Sequence, residues 1–127
     1  MATGISTTLA NSLLDAVGNA TAFSVSTPYI KLHIGDPGSA GTSNPATETT
    51  RKLVSFASAS SGSIASDADV SWTNIAGSED ATHFTVWTAP TAGTFLFSGT
   101  ITANAYVAGD TYTIASGSLT ASLTVAS

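Results

Sequence analysis

The sequence predicts a mainly β protein, an antiparallel β-sandwich or small barrel of about seven strands with one short N-terminal helix. Three observations carry that expectation. Short runs with an apolar residue at every second position return along most of the chain. Clusters of Gly, Pro, Asp and Ser separate them, and helical spacing occurs once, near the start. At 127 residues the chain has the length of one domain with its own core. It divides into an N-terminal helix or arm over residues 1–22 and a single β domain over residues 23–127.

In the first segment Ile5, Leu9, Leu13, Ala16 and Val17 recur at helical spacing. Ser6 or Thr7 can cap the start by accepting a backbone N–H bond, and Gly18-Asn19 reads as a left-handed stop. The rival reading is an arm that turns helical only when docked on a neighbour, because about twelve residues of helix are marginal alone. Strands follow. In YIKLHI, Ile30, Leu32 and Ile34 share one face, and Tyr29, Lys31 and His33 the other. The same period returns in LVSFAS with Val54 and Phe56, in DVSWTN with Val70 and Trp72, and in THFTVWTA with Phe84 and Val86. GTFLFSGTIT offers Phe95, Phe97 and Ile101 to one side, TYTIAS offers Tyr112 and Ile114, and SLTASLTVAS alternates through Leu119, Ala121, Leu123 and Val125. The turns between them are marked by Asp36-Pro37-Gly38, Ser61-Gly62, Ala76-Gly77-Ser78, Pro90 to Gly93, Ala108-Gly109-Asp110 and Ser116-Gly117.

After the strand at 29–34 the chain runs without periodicity to Arg51-Lys52, a length at which loops are usually functional or mobile. Two readings fit it. One is a surface crossover between sheets with Arg51 held by Asp36 or Glu48, and the other is an extended loop that lies on a neighbouring subunit.

Composition excludes several function classes. Charged residues make up 9 % of the chain, well under the usual share of about 25 %. With a net charge of -5 and only Lys31, Arg51 and Lys52 as cations, the chain has no basic patch with which to hold nucleic acid. The absence of cysteine removes disulfides, thiolate chemistry and Cys-based zinc sites. No segment approaches the ~20 apolar residues of a membrane span, and the N-terminus lacks the pattern of a signal peptide, so no membrane role is expected.

His33 and His83 are the only histidines, placed by alternation on the outer faces of their strands, where a structural or exposed role is expected. With Asp36, Glu79 and Asp80 they do not form a ligand pattern. Asp67-Ala68-Asp69 lacks the glycine and terminal Glu of a calcium loop and reads as a polar turn. No Gly-x-Ser-x-Gly elbow, triad spacing or phosphate loop is present, so neither an enzyme, a cofactor nor a metal is expected. Trp72 and Trp87 are expected in the core, because a domain with few aromatics needs most of them inside; the second reading has them stacking on sugar rings.

The stretch Leu32 to Gly38 (LHIGDPG), Arg51 before the next strand, Thr82 to Trp87 (THFTVW) and the turn Gly109 to Thr111 follow a short N-terminal helix. In these elements the chain resembles a group of small structural proteins of tailed bacteriophages, many of them infecting actinobacteria, over most of its length from Ile5 to Leu123. The resemblance implies a virion component rather than an enzyme, made in the cytoplasm of a bacterial host. Relatives bear two kinds of name, minor tail or tail-fibre protein and head decoration protein. We expect a decoration protein on the outside of the capsid, with the major capsid protein or other virion subunits as partners. The alternative is a minor tail or tail-fibre subunit in a homo-oligomer, a trimer, with carbohydrate binding at the host surface through Trp72 and Trp87. The candidate contacts are Ile5, Leu9 and Leu13 on the helix and Asp36, Glu48 and Arg51 in the long loop.

Overall fold

Ser6 opens the helix as its sequence position suggests: in extended backbone, its Oγ accepts the Leu9 N–H at 3.0 Å. The helix α1 (Thr7–Gly18) is the first element of a computed structural model that describes residues 3–126. Met1, Ala2 and Ser127, the outermost residues of the expected arm and of the last expected strand, lie outside the described residues. The strands β1 (Tyr29–His33), β2 (Lys52–Leu53), β3 (Ser63–Ala65), β4 (Val70–Trp72), β5 (His83–Trp87), β6 (Phe95–Thr100), β7 (Tyr112–Ile114) and β8 (Thr120–Ser122) follow.

Every ladder is antiparallel. One four-stranded sheet has the order β2-β1-β5-β6, and β3-β8 and β4-β7 form two ribbons. β8 lies against β6 and β4 against β2, so the ribbons make the second layer of an open sandwich rather than a closed barrel. Beyond β6 the sheet gains a partial strand, because Ile5 bridges Phe97 while Ser6 N–H donates to Leu96 O and Ser98 N–H to Gly4 O. Ile30, Leu32, Phe84, Val86 and Phe97 meet Val70, Trp72, Ile114 and Leu119 from the ribbons in one core.

Four expectations need correction, each for a physical reason. The strand expected over LVSFAS is paired only at Lys52–Leu53, after which Val54 is buried and Phe56 bridges Ser66. That bridge leads into β3, an eighth strand where a turn alone was expected; its Ser-Ile-Ala composition gives no alternation signal, and pairing with β8 creates it. At the ends of strands, Ile34, Leu123 and Val125 turn out to solvent because β1 stops at His33 and β8 at Ser122. The helix ends without a left-handed Gly18-Asn19 stop: Asn19 sits at φ -130° and donates to Asp15 O, and the left-handed residue is Ala20 at φ 51°.

The largest departure concerns His33. Alternation placed it on an outer, solvated face together with Lys31, yet His33 and Thr85 are fully buried and Trp87 nearly so. Both faces of the four-stranded sheet are covered, one by the ribbons and the other by the long loop after β1.

Candidate functional site

The segment between β1 and β2 is built turn by turn from the residues that made it stand out. Asp36 Oδ1 accepts the Gly38 N–H at 2.9 Å, closing a turn in which Gly38 takes φ +77°. Ser43 N–H reaches back to Pro37 O, and Asn44 Nδ2 donates to Asp36 O. Residues 44–46 then run beside the end of β1, with Ile34 N–H to Asn44 O and Ala46 N–H to Leu32 O. Gly41, at φ +73°, lies so close to Phe95 that a Cβ there would stand 2.7 Å from ring carbons. The loop is therefore folded onto its own sheet.

Two carboxylates anchor its second half. Glu79 Oε2 accepts the Thr47 N–H at 2.6 Å, Oε1 accepts the Thr47 hydroxyl, and the Tyr106 hydroxyl donates to Oε2. Burial and the Glu79 charge push the Tyr106 hydroxyl far above its ordinary pKa, so it remains a donor at every physiological pH. Glu48 is buried and accepts from the N–H groups of Ala76 and Thr50. Burial pushes its carboxyl up, but those hydrogen bonds and the nearby Lys52 together outweigh it and leave the pKa below its ordinary value.

Arg51 has partners other than the Asp36 or Glu48 expected for it. Its Nη1 donates to Ala89 O at 2.9 Å and Ala92 O at 2.7 Å, and its guanidinium stands 4.3 Å from the centre of the Trp87 ring. Trp87 in turn stacks at a tilt on Phe95, with ring centres 5.5 Å apart. Trp72 is buried and donates its indole N–H to Thr50 O. Neither indole presents an open ring face on which a sugar could stack, which is the core packing expected of both.

At the centre of this covered face His33 joins loop to sheet. Nδ1 lies 2.8 Å from Ser43 O and Nε2 2.9 Å from Thr85 Oγ1, which also accepts the Trp87 indole N–H at 2.7 Å. Burial holds the imidazole pKa below its ordinary value, the bond to Ser43 O opposes that, and the Lys31 and His83 charges add to it. His83 is half-buried, 2.8 Å from the Thr82 hydroxyl. Among the described residues no three His, Asp or Glu side chains are grouped to hold a metal ion. Asp69 ties its turn to the one after β7 by accepting the Ser116 N–H at 2.8 Å. No helix among the described residues is long and apolar enough to cross a membrane.

The residues expected on the helix occupy a second place, although Ile5 precedes the Ser6 cap and bridges Phe97 instead of lying on α1. Ile5, Leu9 and Leu13 help to line an apolar groove of about 380 Å³, together with Val86, Phe97 and Leu123. Leu14, turned away from Leu9 and Leu13, and Val17, one turn beyond Leu13 on the side expected to be buried, are 69 % and 87 % exposed. The six candidate contacts thus fall into two groups, three in the groove and three in the folded loop. Sequence reasoning missed Thr85 and Glu79, which tie the loop down. The signal available was the run HFTVW, nearly continuous in residues suited to burial, which fits a strand covered on both faces.

A family model described as Podophage GP4 fiber I protein gp80 matches residues 4–122. No curated protein matches the chain. Because the match takes in the helix, the folded loop, the sheet and both ribbons, the chain belongs to the family described as Podophage GP4 fiber I protein gp80 and is a phage structural protein.

Proposed function

We propose that the chain is a non-enzymatic subunit of a virion fibre, assembled with copies of itself or with other virion subunits. One observation carries the proposal: the family match begins at Gly4 and ends at Ser122, so the part that is alike is the whole fold. The chemistry supports it. Ser and Thr replace long charged side chains over much of the surface, so subunit contacts immobilise little rotamer freedom as they form. In this reading α1 and its groove meet a neighbouring subunit, and Leu14 and Val17 supply apolar area that the monomer leaves in water. Asp36, Glu48 and Arg51 shape the loop by binding its own backbone and neighbouring turns, and act on a partner through that shape.

Electron cryo-microscopy of purified virions tests the proposal. Density for this fold along a fibre, repeated by the fibre symmetry, is the expected result. Density repeated over the icosahedral shell would overturn the fibre assignment and make the protein a head decoration subunit.

A further inference from the structure

The hydrogen bonds around His33 can all be satisfied by one protonation state. Ser43 O only accepts, so Nδ1 carries a proton. The Trp87 indole only donates, so Thr85 Oγ1 accepts from it and turns its own hydroxyl proton to His33 Nε2. A second proton on the ring would make Nε2–H a donor to Thr85 Oγ1, which would then accept from both rings and lose the acceptor of its own buried hydroxyl proton. It would also bury a positive charge that the neighbouring cations oppose. Lys31 on β1 and His83 on β5 both oppose it, Asp36 in the loop directs Oδ1 to the Gly38 N–H, and Glu79 is bound to Thr47.

We infer that His33 is an acid-sensitive latch: neutral, it clips the 35–45 loop to the sheet through Ser43 and Thr85, and protonated, it releases the loop and uncovers Phe95. The loop is the part that gives way. It meets the sheet through the Ser43 bond, the short pairing at residues 44–46 and the contact of Gly41 with Phe95, whereas β5 is paired along its whole length on both sides. The exposed Phe95 ring would be an apolar surface present only in acid, a device separate from the subunit contacts proposed above.

Backbone amide hydrogen exchange by NMR on the intact chain, at pH 7, 6 and 5 and corrected for intrinsic rates, tests this. The amides of Ile34, Ser43 and Ala46 are expected to be less protected than those of Phe84 and Val86 at every pH. Their opening should rise about tenfold per pH unit below about 6.5, the ordinary histidine value. His83→Gln should leave this unchanged. Loop opening that does not vary with pH would overturn the inference, and so would loop protection equal to that of β5, since the loop would then open only with the whole domain. Loss of the pH response in His83→Gln would assign it to His83 and overturn the inference equally.

Discussion

Single residues decide how the loop lies on the sheet. Gly41 combines a left-handed backbone with an approach to Phe95 that leaves no room for a methyl group, so Gly41→Ala meets both penalties. The expected cost is about 1–3 kcal/mol, read as a lower urea midpoint with an unchanged slope. His33 gives the stability a defined pH dependence. Its folded-state pKa is lowered, mainly by burial, so below about 6.5 the unfolded chain takes up a proton that the native chain resists. Stability is therefore complete above that pH and falls as pH drops below it, with Glu48, also lowered, adding to the loss below about 4.5. Urea titrations at pH 7.5, 6 and 5 check the sign, and a flat midpoint across them would contradict the neutral, buried imidazole. None of this was legible in the string LHIGDPGSAG. Its turn-formers announce a loop, but the partner of His33 is 52 positions away at Thr85.

Among elements, the helix was the most readable because its determinants are local. Ser6 stands where a cap belongs, and it acquires a second bond that sequence spacing does not reveal, its hydroxyl donating to Phe95 O. Ser6→Ala should accordingly cost about 1–2 kcal/mol, at the upper end for a lost cap, measured by thermal or urea unfolding. In the subunit role proposed above, the exposed apolar residues of α1 carry the contact. Leu14→Glu with Val17→Glu should change stability by no more than about 0.5 kcal/mol, since both side chains are exposed, and should abolish incorporation into particles. Wild-type incorporation of that double variant would remove the helix from the contact surface. Alternation located the longer strands but gave the right exposure only where one face is wet. β4 and β7 follow it, whereas β3 exists only because β8 pairs with it.

For the whole molecule the scarcity of charge is the governing property. Glu48 and Arg51 act mainly on backbone groups of the loop and its neighbouring turns, so the unfolding midpoint should be nearly the same at 0.05 M and 0.5 M salt, to within roughly the effect of a weak surface pair. A large salt dependence would show that exposed charges matter more than these hydrogen bonds. By itself the sequence determined the class of the molecule, because alternation, turn residues, the lone capped helix, the lack of cysteine and the scarcity of cations are properties of neighbouring residues and of composition. Only the tertiary structure decided that the loop is the third layer covering the sheet, that His33 is interior, that Arg51 belongs to Trp87, and that the inner face of α1 borders an apolar groove. The reason is physical: burial and hydrogen-bond satisfaction depend on what lies across space, and in a β fold those partners lie tens of positions apart along the chain.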